Sequence, residues 1–279
     1  MRSDPGMARA SRYCIFCGNS PTTKEHIWAD WLGDYIPKTI LNYSATQTRL
    51  NADRTIVTTK RRWAGDPRGR RLQIVCGPCN NRWMSRLQEA AKPILVPLLS
   101  GKAVHLSQSH QATLAAWCAM ATICAEYFYP ETAAVSVTQR RWLFNTHTAP
   151  DGFRIWIGDF KRNEWKPHWG HSSLRISETE HEGMQGWALR PDGSPRPNTQ
   201  TTMFIVGRLF IIVFSCPFPE ILNMQDIVWP VDTRLSQIWP PRYSFLTWPP
   251  ADTLDDMDAA LLSQAIFSAL SSAGRASKA

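Results

Sequence analysis

The sequence predicts an α+β fold whose N-terminal part is held together by cysteines, and three observations lead to this prediction. Two Cys-x-x-Cys pairs lie at 14–17 and 76–79 of the 279 residues. An apolar segment at 107–127 has helical periodicity. Beyond residue 150 apolar and polar residues alternate, as at 153–157, which is typical of strands. We therefore expect a cysteine-bearing domain, then a helical segment, and then a mixed α and β region.

Changes in composition divide the chain into three parts. Residues 1–12 have no periodic apolar pattern and are expected to be a disordered leader. Residues 13–100 are expected to form the cysteine-bearing domain, with a basic hairpin loop. Residues 101–279 are expected to be helical at first, then rich in strands, and to end in an amphipathic helix at 254–270. A chain of this length can bury one large core or two modest ones.

A short helix and a hairpin are predicted between the two cysteine pairs. Apolar residues recur at helical spacing over 28–35, so the helix is expected to end near Gly33 or Pro37. The segments 55–59 and 71–75 are candidate strands. We expect these two strands to pair with each other across the basic loop that joins them.

Three helices are predicted after the second cysteine pair. The first is expected at about 80–91, and Pro93 and Pro97 are expected to break the helical pattern after it. A serine cap is expected to begin a longer helix at 107–127, and 137–146 is a third candidate. These helices would supply most of the α component of the fold.

The C-terminal part is predicted to contain strands. The candidates are 153–157, 174–176 and a hairpin within 203–214 that turns at Gly207 and Arg208. This hairpin is also the longest apolar run of the chain, and it is shorter than the ~20 residues that a membrane span needs. We therefore expect no transmembrane segment.

Basic residues are concentrated in the N-terminal third. Residues 1–92 hold 16 Lys/Arg and 7 Asp/Glu, a net charge of +9, whereas residues 93–279 hold 15 and 16, a net charge of −1. Such a distribution suits a polyanionic partner such as nucleic acid, and a basic face that only aids solubility is the alternative. No apolar signal-peptide core follows the first residues, so we expect a cytoplasmic protein.

The two cysteine pairs have the spacing of zinc knuckles. In each pair, Cys14 with Cys17 and Cys76 with Cys79, the two intervening residues allow both thiolates to face one metal ion. Four sulfurs complete a closed tetrahedral site with no open coordination position. The zinc would therefore be structural, and any chemistry would come from other residues. The remaining cysteines stand alone in apolar segments and are expected to be inert buried thiols: Cys118, Cys124 and Cys216.

Between the pairs lies the dipeptide Glu25-His26, and Asn80 follows the second pair directly. This order resembles the HNH, or ββα-metal, nucleases that carry a four-cysteine structural zinc. The resemblance covers about residues 14–92 and implies an N-terminal ββα-metal domain in an endonuclease that hydrolyses phosphodiester bonds in DNA, with RNA not excluded. It implies that His26 activates water as a general base, and that Glu25 and Asn80 ligate a catalytic Mg²⁺ or Mn²⁺.

Phosphodiester hydrolysis is chemically suited to these residue types. A neutral imidazole can take a proton from water at physiological pH, and carboxylate and amide oxygens are the ligands that Mg²⁺ prefers. Two non-catalytic alternatives stay open: Glu25-His26 as a surface pair at a helix start, and Asn80 as a helix cap. Asn81 is a second amide that could replace Asn80 as a ligand.

The sequence departs from the family pattern in three ways. Fifty-three residues separate His26 from Asn80, so the intervening hairpin is enlarged. Trp83 stands where a basic residue is common. The middle asparagine of the motif has two candidates, Asn42 and Asn51, and neither has matching context.

Basic side chains around the motif are expected to contact phosphates without reading base sequence. They are Lys60, Arg61, Arg62, Arg68, Arg70, Arg71, Arg82 and Arg86. Two other functions remain open: a zinc-ribbon protein that binds nucleic acid without catalysis, and a zinc-stapled module that binds another protein. A second copy of the chain, contacting through the C-terminal region, is a further candidate partner.

Overall fold

The computed structural model describes most of the chain, and it confirms a mixture of helices and strands. The described residues are 12–26, 29–35, 42–50, 56–64, 71–161, 168–174, 196–219, 222 and 234–262. The main helical elements are the 3₁₀ helix Asp30–Asp34, the helical turn α1 (Gly77–Cys79), the π-helical turn Asn80–Met84, α2 (Ser85–Ser100), α3 (Gln108–Glu126) and α4 (Val137–Thr146). None of the described helices combines the length and apolar character that a membrane span requires.

The described strands form three sheets. Their bounds are β1 Thr22–His26, β2 Asn42–Leu50, β3 Ile56–Ala64, β4 Arg71–Cys76, β5 Val104–Ser107, β6 Phe153–Asp159, β7 His168–Leu174, β8 Thr199–Val206, β9 Leu209–Ser215, β10 Ser236–Trp239 and β11 Phe245–Trp248. Strands β1 and β4 form one pair, β5 and β11 another, and the seven-stranded sheet has the order β10-β6-β9-β8-β7-β2-β3.

The N-terminal strands pair differently from the prediction. Strand β4 is antiparallel to β1, with Thr22 opposite Cys76 and His26 opposite Arg71, whereas β3 is antiparallel to β2. The predicted hairpin between 55–59 and 71–75 is therefore wrong, because each of these strands has another partner. The predicted short helix corresponds to the 3₁₀ helix that ends at Asp34. Within this helix, the Leu32 side chain is buried.

The helix after the second cysteine pair is longer than predicted. Helical geometry runs from Gly77 to Ser100, through Pro93 and Pro97. A proline inside a helix loses one hydrogen bond and crowds the preceding turn, at a cost of about 3 kcal/mol. Buried leucines on the face of α2 that packs on α3 offset this cost, and Gly101 ends the helix in a left-handed conformation with φ 67°.

Helices α3 and α4 confirm two predictions. The Ser107 hydroxyl accepts a hydrogen bond from the His110 backbone N–H at 3.2 Å, which caps α3 as expected. Ser136 and Gln139 form a capping box at the start of α4. Helix α3 is buried from Leu114 onward and lies at the centre of the larger hydrophobic cluster.

The seven-stranded sheet separates two hydrophobic clusters. Phe204 and Val213 belong to the larger cluster with α3, whereas Met203 and Ile212 belong to the smaller one with Leu254. Strands β8 and β9 form the hairpin that the sequence predicts. Strands β2 and β3 precede the predicted boundary near residue 100 and the other five follow it; the division into domains stays a prediction.

The C-terminal predictions fall partly on described residues. Strand β7 ends at Leu174, and residues 175 and 176 of the predicted strand lie outside the described part. The chain is helical at 256–262, and the rest of the predicted closing helix also lies outside it.

A partly buried ion pair joins the β8–β9 turn to β6. The Arg208 guanidinium donates to both oxygens of Asp159, one of them at 2.8 Å, and the carboxylate is fully buried. The Arg208 backbone N–H donates to the Leu99 carbonyl at the end of α2, at 3.0 Å. An added Cβ on Gly207 would lie 2.6 Å from that carbonyl oxygen, so this approach requires glycine.

We expect Arg208→Ala to lower the free energy of unfolding by about 3 kcal/mol, because it leaves the Asp159 carboxylate buried and unpaired. The measurement is the midpoint of urea unfolding. A double variant, Arg208→Met with Asp159→Leu, is expected to recover much of the loss, since it removes both charges. Equal losses in the single and double variants would show that the ion pair is not the cause.

Candidate metal centre and active site

The structure brings the four predicted cysteine ligands together. The sulfur atoms of Cys14, Cys17, Cys76 and Cys79 all lie within 4.8 Å of one another. Tetrahedral zinc with Zn–S bonds of about 2.3 Å places its sulfurs about 3.8 Å apart, so the set needs only a small contraction to fit. Three of the cysteines are buried and Cys17 is half-buried. The cluster could therefore bind a metal such as zinc.

The first knuckle is a tight turn that packs on β4. The Gly18 backbone N–H donates to the Cys14 carbonyl at 2.9 Å, and the Cys14 N–H donates to the Asn19 carbonyl at 2.8 Å. Gly18 has φ 78°, a conformation that glycine adopts without strain. The Ile15 N–H donates to the Ile74 carbonyl at 3.0 Å, which holds the knuckle against the strand.

The second knuckle is the junction of strand and helix. Cys76 is the last residue of β4, and Cys79 ends the helical turn that follows. Pairing of Thr22 with Cys76, and a 3.2 Å hydrogen bond from the Thr23 hydroxyl to the Val75 carbonyl, hold β1 against this junction. The cysteine cluster, the β1–β4 pair and the helix start thus form one local unit.

Burial and backbone hydrogen bonds act oppositely on the thiols. Burial raises the pKa of Cys76 and of Cys79. Burial also acts to raise the pKa of Cys14, but hydrogen bonds from backbone N–H groups outweigh it and lower that pKa. These groups belong to Cys17, Cys76 and Phe16. The charge of a bound Zn²⁺ would favour the thiolate form of all four cysteines.

Trp83 has a packing role between the first knuckle and α4. Its ring meets Phe16 of the first knuckle edge to face at 4.9 Å and Phe144 of α4 at 6.0 Å, and it stacks on His147 at 5.8 Å between centroids. Trp83 is buried. A charged side chain at this position would be buried in an aromatic cluster, which is energetically costly.

His26 lies at the end of β1, between a carboxylate and a guanidinium. Its Nδ1 is 3.3 Å from Oδ1 of Asp30, and its Nε2 accepts a hydrogen bond of 2.7 Å from Nε of Arg71. An Nε2 that accepts a hydrogen bond carries no proton, so the proton of the neutral ring is on Nδ1, facing Asp30. The imidazole is largely covered, with 20% of its side chain exposed, whereas 83% of the Asp30 side chain is exposed.

Sequence reasoning missed Asp30. Its signal was the spacing of four residues from His26, but this spacing indicates contact only in a helix, and His26 ends a strand. Arg71 was predicted only as a phosphate contact, and the structure pairs it with His26 across the β1–β4 register.

Asn80 lies inside the helical segment and not at its start. It opens the π-helical turn directly after Cys79, and its backbone N–H donates to the Gly77 carbonyl. The helix-cap alternative is therefore wrong, because the helix begins three residues earlier. In the described part of the chain the Asn80 side-chain amide has no hydrogen-bond partner, and the neighbouring Asn81 is exposed.

The predicted catalytic residues are only partly placed. The backbone of Glu25 belongs to β1, but its side chain lies outside the described part. No hydrogen bond between described residues joins His26 to Asn80. The structure brings His26 to Asp30 and Arg71, and the assignment of Glu25 and Asn80 as metal ligands stays a prediction.

Three basic residues that were predicted in a loop lie on strand β3: Lys60, Arg61 and Arg62. Arg68 and Arg70 lie outside the described residues. Arg82 and Arg86 are exposed on the helical segment and form no ion pair with another described residue.

The remaining predictions concern isolated residues. Asn42 begins β2, and Asn51 lies outside the described residues. The three cysteines outside the cluster are buried, as predicted, and form no disulfide within the described part of the chain: Cys118, Cys124 and Cys216.

Comparisons of the chain with protein-family models, with curated proteins and with solved structures gave no match.

Proposed function

We propose that the protein is a metal-dependent endonuclease of the HNH type that hydrolyses phosphodiester bonds in DNA. The observation that carries the proposal is the environment of His26, whose unprotonated Nε2 and Asp30-facing Nδ1 suit a general base. A second support is the order strand, strand, helix around the cysteine cluster, formed by β1, β4 and the segment that begins at Gly77.

His26 and Asp30 have complementary roles in the proposed reaction. Nε2 takes a proton from the attacking water, and the ring becomes an imidazolium. The Asp30 carboxylate, 3.3 Å from Nδ1, fixes the proton on the far side of the ring and stabilises the positive charge that develops. Because Asp30 is exposed, solvent screens this interaction, and its contribution is smaller than that of a buried carboxylate.

Glu25 and Asn80 are the proposed ligands of the catalytic Mg²⁺ or Mn²⁺. A carboxylate and an amide carbonyl are hard oxygen donors, and the unpartnered Asn80 amide fits this role in the described part of the chain. When bound, such an ion neutralises charge on the phosphate and the leaving oxygen. The four cysteines would hold a separate zinc ion with no catalytic part.

Positive charge supports DNA as the partner. The first 92 residues carry a net charge of +9, and Arg82 and Arg86 are exposed on the helix that contains Asn80. Exposed arginines can bind the phosphates of a DNA backbone. Binding of this kind weakens as the salt concentration rises.

The proposal is tested with purified full-length protein and supercoiled plasmid. We expect nicked and then linear DNA with Mg²⁺ or Mn²⁺, no cleavage with EDTA, and recovery when excess Mg²⁺ is returned. The zinc content is measured before and after EDTA, so that loss of the structural metal is not mistaken for loss of the catalytic one. Salt-dependent DNA binding without cleavage under any metal would overturn the proposal in favour of a non-catalytic zinc-ribbon protein. A protein that neither binds nor cleaves DNA would instead be an interaction module.

A further inference from the structure

Arg71 covers the nitrogen that the proposed reaction needs. The only ring position of His26 that can take a proton is Nε2, and the Arg71 guanidinium donates to it at 2.7 Å. While this hydrogen bond is present, a water molecule cannot deliver its proton to Nε2. The free protein therefore holds its base in a blocked form.

We propose that Arg71 is a latch on His26, and that a phosphate group of the substrate opens the latch by drawing the guanidinium away from Nε2. This inference rests on the proposed function, which it extends from the identity of the base to its regulation. The base becomes available only where a phosphodiester is bound, so the two events are coupled through one side chain.

The chemistry of the two acceptors favours this exchange. A guanidinium forms stronger hydrogen bonds with an anionic phosphate oxygen than with a neutral ring nitrogen, and it can bind phosphate through two parallel N–H groups. The Arg71 side chain is exposed, so it can turn toward a ligand without breaking core packing. Bound phosphate then shifts the population toward the open form, by the difference in the affinity of the two forms for phosphate.

Asp30 keeps the His26 ring in the tautomer that the latch requires. With the proton held on Nδ1 by the carboxylate, Nε2 is an acceptor both for Arg71 in the closed form and for water in the open form. Asp30 is a positioning residue, because it acts through His26. Arg71 in the open form is a phosphate contact.

The test is a ¹⁵N spectrum of the histidine rings at one fixed pH, with the full chain and a short DNA duplex in metal-free buffer. Free wild-type protein is expected to show the Nε2 signal of His26 at the position of a hydrogen-bonded acceptor. DNA is expected to move it away from that position, toward the position of an acceptor that faces water and not a guanidinium. Arg71→Ala is expected to show that second position already without DNA, with no further change on binding.

Arg86→Ala is the matched control, since it removes an exposed arginine of the same helix that carries Asn80. It is expected to weaken DNA binding and leave the His26 spectrum unchanged. In steady-state cleavage, Arg71→Ala is expected to raise KM by roughly tenfold and to leave kcat equal or higher, because a phosphate contact is lost but the base is no longer covered.

Identical Nε2 signals in free wild type and Arg71→Ala would overturn the latch, whether or not the protein cleaves DNA. An unchanged signal when DNA is bound to the wild type would also overturn it. The expected signals without any metal-dependent cleavage would leave the latch in place and overturn the nuclease. The two proposals therefore fail by different measurements.

Discussion

A Cys79→Ser variant is expected to lose its bound metal and, with it, the stable fold around the cysteine cluster. Cys79 is buried at the turn where β4 passes into the helical segment, so a metal ion bound to its sulfur would hold the strand, the helix start and the first knuckle together. Binding of structural zinc supplies roughly 10 kcal/mol or more of folding free energy in small domains. We expect about one zinc per chain in the wild type and far less in the variant, together with lower solubility and a lower Tm. Zinc is measured by elemental analysis, and stability by thermal unfolding.

Cys118→Ala is the matched control for this variant. Cys118 is fully buried on α3 and lies outside the cluster, and burial raises its pKa, which keeps it a neutral thiol. Its substitution leaves a small cavity and is expected to lower stability by about 1 kcal/mol while the zinc content stays at the wild-type value. Full zinc content in Cys79→Ser, or equal loss of zinc in both variants, would contradict a four-cysteine site.

The parts of the fold that the sequence predicts correctly are those with local causes. Two residues between cysteines suffice to shape a knuckle, so the spacing alone predicts the four cysteines that the structure brings together. Helices α3 and α4 begin at the serine caps Ser107 and Ser136, which act within three residues of themselves. The β8–β9 hairpin turns at Gly207, where the chain needs a positive φ of 55°. Each of these features depends on neighbours in sequence.

The predictions that are wrong depend on contacts between residues far apart in the sequence. Strand β4 pairs with β1 across a gap of more than forty residues, and no local pattern distinguishes this partner from β3. The first knuckle and β1 both contact β4, since the Ile15 N–H donates to the Ile74 carbonyl and Thr22 pairs with Cys76. A local rule predicts that Pro93 and Pro97 break the helix. The helix continues through both prolines, and the leucines around them are buried.

The candidate site also contains one residue predicted from a local motif and others that depend on long-range contacts. His26 was found from a motif of adjacent residues, whereas its two partners depend on how the chain turns after β1 and where β4 returns. Asp30 reaches the ring only because residues 30–34 form a 3₁₀ helix behind the strand end. Arg71 reaches it only because β4 begins opposite His26. The two contacts of the His26 ring were therefore not predictable from the motif.

A His26→Ala variant is expected to lower plasmid cleavage by about 10² to 10⁴-fold, the usual contribution of a general base. The side chain is at the end of a strand, and its two partners are exposed, so its removal should leave zinc content, Tm and DNA affinity close to the wild-type values. Cleavage is measured as the initial rate of nicking at saturating Mg²⁺, with His110→Ala as control, because that histidine is exposed on α3 far along the chain from the cluster. Nicking by His26→Ala at the wild-type rate would reject His26 as the base. If the wild type and His26→Ala bound DNA equally well and neither cut it, the protein would be a non-catalytic nucleic-acid-binding protein.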